Sequence, residues 1–399
     1  MASILFAWEL GGDYGHLARL LPVAQALRAR GHSVAFAVRD LLGAEAILAP
    51  HQIRSFQAPL WIGQVTNLPS PISYPEMLMR FGFLNARALT GICRAWRNLV
   101  DLLRPDLLVL DHAPTALLAT RGLALPRMNF GDGFCIPPTA RPVPHFRWWQ
   151  RENLVRLQDS EHHAVASANQ VLQALDAPPL IGMADLQQCD DTLFCTFPEL
   201  DHYAERAAQD YLGPIFALGQ GVRLPWPGNS DAPRVFAYLK PAYPALDAAL
   251  TALQVSGARV LAHVPGAARQ TIARFTSASM ALSTEPLHMT DMAAQCDLAL
   301  CHGGGGTTAA MLLAGKPLLL LPMQMEQTMT GKRVAALGAG VSVAPEASAT
   351  LARQLRLALD ETRLTSAARA FAQAHAGYDQ QHTVAAAADR CEALLHAPA

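Results

Sequence analysis

The chain has 399 residues, more than one ordinary hydrophobic core needs, because single domains mostly contain about 100–200 residues. Hydrophobic residues make up 51% and charged residues 16%, a composition that excludes an intrinsically disordered protein. The formal net charge is −1 and the Lys and Arg residues are scattered, which argues against a nucleic acid partner. We therefore expect a folded protein with two domains.

The N-terminal segment is apolar at residues 3–8, but no basic region precedes it and Glu9 follows at once, unlike a secretory signal. The best apolar run, residues 312–321, is interrupted by a Lys-Pro pair and is shorter than the roughly 20 residues of a membrane helix. We expect a cytoplasmic protein without stable membrane insertion. The seven cysteines form no C-x-x-C pair, which predicts reduced thiols and neither a disulfide framework nor a zinc site.

Strand-like and helix-like segments alternate through the first half of the chain, and this βαβ pattern predicts a parallel sheet. A proline- and aromatic-rich segment, residues 126–149, interrupts the pattern and is more typical of a binding loop than of a spacer. We expect one Rossmann-like domain over residues 1–212. Its first elements are strands at 4–8, 33–38, 107–110 and 125–129, a helix at 20–30 and an amphipathic stretch at 76–103.

Prolines and glycines crowd residues 213–233, where no helical or strand period survives, and this segment is predicted to be the interdomain linker. The βαβ pattern then restarts, so residues 234–378 are predicted to form a second Rossmann-like domain. The Ala-rich residues 379–399 should form a helix that packs back toward the N-terminal domain. In the second domain we expect strands at 235–239, 260–263, 281–283, 298–301 and 318–321, and a helix at 246–256.

The strongest local signal is C-H-G-G-G-G-T-T at residues 301–308, which lies between a strand and a helix expected to begin near Ala309. Glycines let the backbone approach a ligand closely, and the free N–H groups of a helix N-terminus favour a diphosphate. The His302 ring and the threonine hydroxyls would add donors. A tight turn also needs glycine, but one or two would suffice.

A dinucleotide site is an alternative interpretation of the same residues. Gly304, Gly306 and Ala309 fit G-x-G-x-x-A, and Glu326 follows about 20 residues later, as the motif requires. An NAD-dependent dehydrogenase is therefore possible on spacing alone. The position in the second domain, the preceding histidine and the pairing of Glu326 with Gln327 argue against it.

The run from His302 to Thr307, with Gly-Lys-Pro at 315–317, Pro322 and the Glu-Gln pair at 326–327, resembles the donor-binding signature of the family 1 nucleotide-sugar glycosyltransferases. That resemblance implies the GT-B fold, an α/β architecture of two doubly wound parallel-sheet domains facing across a cleft. It also implies a nucleotide-sugar donor, either a UDP- or a dTDP-sugar, as co-substrate. The implied phosphate ligands are His302, Gly304, Gly305, Gly306 and Thr307.

The resemblance further implies that Glu326 and Gln327 bind the sugar hydroxyls and that the nucleobase lies against the loop at residues 286–289, which contains Leu287. One position departs from the family. Where its members usually have Gly-Ser or Gly-Thr after the first strand of the second domain, this chain has Leu-Lys-Pro at 239–241. Lys240 is a candidate cation for the phosphates in place of that hydroxyl.

In the first domain, G-G-D-Y-G-H at residues 11–16 follows the first strand. Proline is comfortable only in the first turn of a helix, so Pro22 predicts a helix that begins near Leu20 and leaves His16 in or beside the loop. The carboxyl edge of an open parallel sheet is where ligands bind. A loop histidine is often only a surface residue. The Gly-His pair resembles the N-terminal motif of the same family, whose histidine is the general base.

An imidazole base works best when a carboxylate fixes its tautomer. Asp111 is the candidate partner of His16, because it ends the strand at 107–110 and its segment resembles the one that carries the family's dyad aspartate. A helix N-cap is the alternative role for Asp111. Asp13 is the alternative partner for His16.

We predict an inverting glycosyltransferase that needs no cofactor and no metal, because neither a D-x-D pair nor a cluster with metal-ligand spacing occurs in the sequence. Its partners would be the nucleotide-sugar donor and a small acceptor. A nucleotide-sugar epimerase on the same fold and a non-catalytic nucleotide-sugar-binding protein are alternatives. Aromatic residues indicate an apolar acceptor, although aromatics also form cores: Trp61, Phe81, Phe83, Phe130, Phe134, Trp148 and Trp149.

Overall fold

A computed structural model describes residues 1–12, 14–151, 153–204, 206, 209–216 and 221–396. The chain forms two compact units. The first contains Met1–Ile215 together with Gln380–Ala399, and the second contains Phe216–Asp379. Within the described ranges, every helix is too short or too polar to span a membrane.

The first unit contains a parallel sheet of six strands in the order β3-β2-β1-β4-β5-β6. Most of its strand residues are buried, as expected when helices cover both faces of a parallel sheet. The strands are β1 Ser3–Trp8, β2 Ser33–Val38, β3 Arg54–Gln57, β4 Leu107–Asp111, β5 Arg127–Gly131 and β6 Asp191–Phe194. The helices up to β6 are α1 Gly15–Ala29, α2 Leu41–Leu48, α3 Tyr74–Met79, α4 Ala86–Leu103, α5 Pro114–Thr120 and α6 Leu154–Gln173.

The second unit repeats this architecture, with six parallel strands in the order β12-β11-β10-β7-β8-β9. The strands are β7 Arg234–Tyr238, β8 Arg259–His263, β9 Met280–Ser283, β10 Leu298–Cys301, β11 Leu318–Leu320 and β12 Gly340–Ser342. The helices are α7 Leu246–Gln254, α8 Arg269–Phe275, α9 Met289–Gln295, α10 Gly305–Leu313, α11 Met325–Ala336, α12 Leu351–Asp360 and α13 Thr362–Ala374. Both units are therefore doubly wound α/β domains, as the sequence predicted.

The helix after β1 corrects one prediction. It begins at Gly15, not near Leu20, so Pro22 lies inside α1 and His16 lies in its first turn. The proline removes one backbone hydrogen bond. The helix nevertheless buries a stripe of residues against the sheet, and this packing outweighs the local penalty: Leu17, Leu20, Val23, Ala24 and Leu27.

Three further elements differ from the sequence prediction. The amphipathic stretch at 76–103 is two helices, α3 and α4, because Gly82 adopts φ of 101° between them. The helix of the glycine-rich segment begins at Gly305 and not near Ala309. Strands β3, β6 and β12, of three or four residues each, were not predicted.

The last helix of the chain, α14 Gln380–His396, packs against the first unit. Ala387, Ala388 and Cys391 are completely or almost completely buried in the core around β1. Arg390 of this helix donates to the carboxylates of Asp191 and Asp210. The C-terminal segment is therefore part of the first unit's core.

A charge placed on the buried face of α14 tests this role. Ala387→Asp should lower the free energy of unfolding by at least about 2 kcal/mol, because a carboxylate there has no partner and little access to water. Gln381→Asp on the same helix is the control, since Gln381 is exposed, and it should change stability little. Urea unfolding followed by circular dichroism measures both. Equal stability of the two variants would contradict the role of α14.

Candidate functional site

His16 and Asp111 meet at the carboxyl edge of the first sheet. His16 is the second residue of α1, and Asp111 is the last residue of β4. Strands β1 and β4 are parallel neighbours with Trp8 opposite Asp111, so the start of α1 lies beside the end of β4. The distance from His16 Nδ1 to Asp111 Oδ1 is 3.0 Å. Asp13, the alternative partner, lies outside the described residues.

Arg19 completes this cluster, and its role was not predicted from the sequence. Its Nε donates to Asp111 Oδ2 at 2.9 Å and its Nη2 donates to Asp111 Oδ1 at 2.8 Å. Its Nη1 reaches Asp132 Oδ2 at 3.2 Å. Arg19 lies three residues after His16 and therefore on the same face of α1. That spacing was the one available signal, but it depended on knowing that the helix begins at Gly15.

The charges of the cluster favour an ionised Asp111. Burial alone would raise the pKa of Asp111, but the Arg19 guanidinium and His16 outweigh burial and hold that pKa below its ordinary value. Nδ1 of His16 lies 3.0 Å from Asp111 Oδ1 and 3.1 Å from Arg19 Nη2, and a proton on Nδ1 would pair it with the carboxylate. Nε2 of His16 is then unprotonated, which is the state that a general base requires.

Gly11 gives this imidazole its space. A Cβ atom at Gly11 would lie 2.2 Å from His16 Nε2, and Gly11 adopts φ of 92°, which side chains rarely allow. On another side, the Trp8 ring stacks on the His16 ring with centroids 5.3 Å apart. The His16 side chain keeps 12% of its surface exposed. The ring is thus fixed by its neighbours but still accessible.

Asp111 does not cap the following helix. Ala113 is the N-cap residue of α5, and Glu9 binds the free N–H groups there. Glu9 is 1% exposed and accepts from Thr115 N at 3.0 Å, Thr115 Oγ1 at 2.7 Å and Ala116 N at 2.6 Å. Burial raises the pKa of Glu9 to about 7, against the effect of these hydrogen bonds. Because Glu9, and not Asp111, accepts from the N–H groups at the start of α5, the N-cap alternative for Asp111 is wrong.

The structure also gathers a possible ligand set that the sequence spacing did not predict. Atoms of His16, Asp111 and Cys135 lie within 4.8 Å of one another, although the three residues are far apart in the chain. Both oxygens of Asp111 already accept hydrogen bonds from Arg19. A guanidinium therefore occupies the position where a cation would neutralise this carboxylate.

In the second unit, the glycine-rich segment forms the open N-terminus of α10. Gly304 is the N-cap residue, and no side chain among the described residues caps this helix. A Cβ atom at Gly304 or Gly305 would meet nothing within 4 Å, so packing does not require glycine there. At Gly306, by contrast, a Cβ atom would approach the Phe216 side chain at 3.1 Å. The space before Gly304 and Gly305 fits the predicted phosphate site.

His302 is placed differently from the expectation that its ring donates to a phosphate. The ring is buried; its Nδ1 lies 2.7 Å from the Leu321 carbonyl, and its Nε2 accepts from the Lys240 backbone N–H at 2.8 Å. These bonds define a neutral ring with the proton on Nδ1. His302 therefore ties the loops after β7, β10 and β11 together at one sheet edge. Lys240 is held at this edge through its backbone.

Glu326 and Gln327 lie in the first turn of α11, which follows β11 at the same edge. Gln327 is buried, and its Oε1 accepts from the Met323 backbone N–H at 2.7 Å. Its oxygen thus shapes the loop before α11. Glu326 is partly exposed and is the better placed of the two to reach a ligand.

Leu287 lies in a loop that forms a parallel bridge with Val222. Val222 N donates to Pro286 O at 2.8 Å, and His288 N donates to Val222 O at 3.0 Å. In a parallel bridge the intervening residue directs its own N–H and C=O to the other side. The backbone of Leu287 is therefore oriented away from Val222, as nucleobase recognition by backbone groups would require.

The aromatic residues suggested as acceptor contacts fall into two groups. Phe83 and Phe130 are core residues, 0% and 1% exposed. Phe134 belongs to an aromatic cluster and stacks on Phe146 at 5.3 Å. The remaining four are partly exposed: Trp61, Phe81, Trp148 and Trp149. The core alternative therefore holds for three of the seven, since Phe134 is also buried.

Comparisons with known proteins bear on this site. Residues 248–394 match the family described as erythromycin biosynthesis protein CIII-like, C-terminal domain. The PGL/p-HBAD biosynthesis glycosyltransferase of Mycobacterium tuberculosis is 26% identical over 312 residues, covering 73% of this chain and 72% of that protein. The calicheamicin glycosyltransferase superposes with a TM-score of 0.73 at 18% identity, over 100% of this chain and 99% of its own. The chain has the GT-B fold of these glycosyltransferases.

Three further proteins, one of known structure and two that act on sterols by name, are also similar to this chain. The glycosyltransferase VinC, solved in complex with dTDP, has a TM-score of 0.66 at 16% identity, over 97% of this chain and 100% of its own. Sterol 3-beta-glucosyltransferases of Eremothecium gossypii and Kluyveromyces lactis are 34% identical over 77 and 91 residues, or 19% and 23% of this chain. Those matches span only 6% and 7% of the two sterol enzymes. All these relatives are transferases, which does not favour the dehydrogenase interpretation.

Glu9 provides a test of the electrostatics of the first unit. Its folded pKa of about 7 lies above its ordinary value of 4.5, so the folded state holds more protons between these two values. The free energy of unfolding should therefore fall as the pH rises from about 4.5 to about 7. Glu9→Gln should remove this part of the pH dependence. Chemical unfolding at a series of pH values measures it.

The matched control is Glu45→Gln, because Glu45 is exposed on α2. This variant should keep the wild-type pH profile. If Glu9→Gln and wild type showed parallel profiles across that range, the raised pKa of Glu9 would be wrong.

Proposed function

We propose that the protein transfers a sugar from a dTDP- or UDP-sugar to a hydroxyl group of a small, largely apolar acceptor, with inversion at the anomeric carbon and without a metal ion. The observation that carries this proposal is the 3.0 Å contact between His16 Nδ1 and Asp111 Oδ1. It gives His16 a carboxylate partner at Nδ1 and leaves Nε2 as the proposed base.

In the proposed reaction, His16 Nε2 takes the proton of the acceptor hydroxyl while that oxygen attacks the anomeric carbon. The new carbon–oxygen bond forms as the bond from the anomeric carbon to the diphosphate breaks. The diphosphate leaves with the bonding electron pair. A single displacement of this kind inverts the anomeric configuration, and the imidazolium later returns its proton to water.

The N-terminus of α10 supports the proposed phosphate site. Negative charge that grows on the leaving diphosphate would meet the backbone N–H groups that open this helix, together with its positive dipole end. The Thr307 hydroxyl and Lys240 are the nearby candidates for further donors. In this scheme His302 positions the loops, since both of its ring nitrogens contact backbone atoms. Protein groups, and no metal, would then balance the charge.

The nature of the donor is inferred from relatives. VinC was solved with dTDP, which favours a thymidine or uridine diphosphate carrier for this chain as well. The backbone of Leu287 is the proposed contact of the base, and Glu326 is the proposed contact of the sugar hydroxyls. The apolar acceptor is proposed from the partly exposed aromatic residues of the first unit and from relatives named for sterol and calicheamicin glycosylation.

The proposed donor site predicts a selective effect of Gly304→Val. The backbone at Gly304, with φ of −65° and ψ of 137°, accepts a β-branched residue, and a Cβ atom there contacts no protein atom. The variant should fold normally but lose at least about tenfold in dTDP or UDP affinity, since the side chain fills the space before the helix N-terminus. Isothermal titration calorimetry measures the affinity.

Gly377→Val is the matched control, because Gly377 also has open space around its Cβ position and lies in an exposed turn. It should bind nucleotide as wild type does. Titration in EDTA should give the same wild-type affinity. Normal binding by Gly304→Val would move the phosphates away from α10, and loss of binding in EDTA would contradict a metal-free site.

The proposed base predicts a specific pattern of activity. His16→Ala should retain donor binding but lose about 10²–10⁴-fold in turnover, the usual contribution of a positioned general base. Asp111→Asn should lose less, because the imidazole remains while its tautomer is no longer fixed. The asparagine keeps the shape of the site and one oxygen that can accept from Arg19, although the carboxylate charge is lost, whereas alanine keeps neither. The double variant should resemble His16→Ala, since Asp111 acts through the ring.

Initial rates of nucleoside diphosphate release with a panel of alcohol and phenol acceptors measure these effects. More than about half of wild-type turnover in His16→Ala would remove His16 from the mechanism. A reaction that changes the donor sugar without any acceptor would instead indicate the epimerase. Donor binding without any reaction would indicate the non-catalytic alternative.

A further inference from the structure

His112 has an unusual backbone and an unusual environment. It directly follows Asp111, at the end of β4, and adopts φ of 48°, in the left-handed region that few residues other than glycine occupy. Its carbonyl accepts from Leu10 N at 3.0 Å, which holds this conformation against the end of β1. Backbone strain of this kind is concentrated at functional sites. The strained residue here is the direct neighbour of the proposed catalytic carboxylate.

The side chain of His112 is buried with one nitrogen unused. The residue is 6% exposed, and its Nε2 has no hydrogen-bond partner in the part of the chain that the structure describes. Its ring centroid lies 6.0 Å from that of His16, 6.1 Å from that of Tyr74 and 6.1 Å from that of Phe134. A buried polar atom without a partner is costly, and such atoms are rare in folded proteins.

The charge state of His112 suits binding better than acid–base work. Burial, aided by repulsion from His16, lowers the pKa of His112 to about 3. The ring is thus neutral at any pH at which His16 can act. A neutral imidazole can donate or accept one hydrogen bond at Nε2, according to its tautomer. His112 therefore offers a hydrogen bond without competing with His16 for the proton.

We propose that His112 is a specificity-determining residue that binds a second oxygen of the acceptor, adjacent to the hydroxyl group from which His16 takes the proton. The inference rests on the proposed function and names its acceptor class: a vicinal diol, or a hydroxyl group next to another oxygen function. The ring centroids of His16 and His112 lie 6.0 Å apart, close enough for two oxygens of one acceptor to reach the two rings. The bond to the second oxygen satisfies His112 Nε2.

The aromatic neighbours agree with such an acceptor. Tyr74 and Phe134 flank the His112 ring, and Phe134 stacks on Phe146. The Tyr203 hydroxyl, beyond Phe146 at 6.4 Å between ring centroids, is another buried polar group without a partner among the described residues. An apolar ring system that carries two neighbouring oxygens would pack against these aromatic rings. One of its oxygens would lie at the unpartnered nitrogen of His112.

The test compares two acceptor probes, 1,2-dihydroxyanthraquinone and 2-hydroxyanthraquinone, which differ by one hydroxyl group. Binding is measured on the full chain without donor, by quenching of tryptophan fluorescence, so the result does not depend on turnover. Wild type should bind the dihydroxy probe about tenfold more tightly, the usual value of one buried hydrogen bond. His112→Phe should bind both probes with equal affinity, because it keeps the ring but not the nitrogen.

Two further variants make the result specific. His112→Asn should retain part of the preference, since asparagine tolerates positive φ and still offers a hydrogen bond. His163→Phe is the matched control, because His163 lies on the exposed face of α6, and this variant should behave as wild type. A wild-type protein that binds both probes equally or binds neither, or a preference that persists in His112→Phe, would overturn the proposal.

Turnover separates this inference from the proposed function. Transfer to both probes at equal efficiency, with His16→Ala inactive, would keep the transferase and remove the role of His112. Binding of the dihydroxy probe through His112 without transfer from any donor would keep His112 and remove the transferase. An ordered water as the partner of Nε2 would give equal probe affinities and would also overturn the proposal.

Discussion

The buried Asp111 carboxylate is the constraint on which the first unit's active edge depends. An ion with no exposed surface needs neutralising partners, and Arg19 supplies two hydrogen bonds while His16 supplies a third contact. To deliver both side chains, α1 must begin within a few residues of β1. This requirement explains why the helix starts at Gly15 in spite of Pro22, and why Gly11 must make the preceding turn. Helix start, turn and strand end form one cooperative arrangement.

The second unit would stabilise the negative charge of a ligand with backbone groups instead of ionised side chains. Its sheet edge holds no comparable buried carboxylate cluster among the described residues. It offers instead the open N-terminus of α10 and a neutral His302 that fastens the adjoining loops. Dipoles fixed in advance need little reorganisation when negative charge appears, whereas the first unit stabilises a charge that moves with a proton. The two similar architectures therefore stabilise charge differently at the loops that follow their strands.

The sequence predicted the fold class because strand and helix periods are local properties. The apolar run at β2 and the glycines before α10 are examples. The contact between His16 and Asp111 was predictable because Asp111 ends a strand and because the Gly-His pair resembles a family motif. The contacts of these two residues with their neighbours were not predictable. The roles of Arg19, Glu9 and His112 depend on tertiary contacts that form only when β1 and β4 pair in the sheet. The start of α1 was mispredicted because core burial overrode a local proline rule.

The return of α14 to the first unit has a consequence for synthesis. The second unit, Phe216–Asp379, is inserted between two parts of the first unit. At a translation rate of about 5–20 residues per second, the last helix follows β6 by roughly 10–35 s. The first sheet must wait through that interval with the surface that Ala387 and Cys391 later cover still open to water. The nascent first unit is therefore the part of this chain most in need of a chaperone, whereas the second can fold while the ribosome is still working.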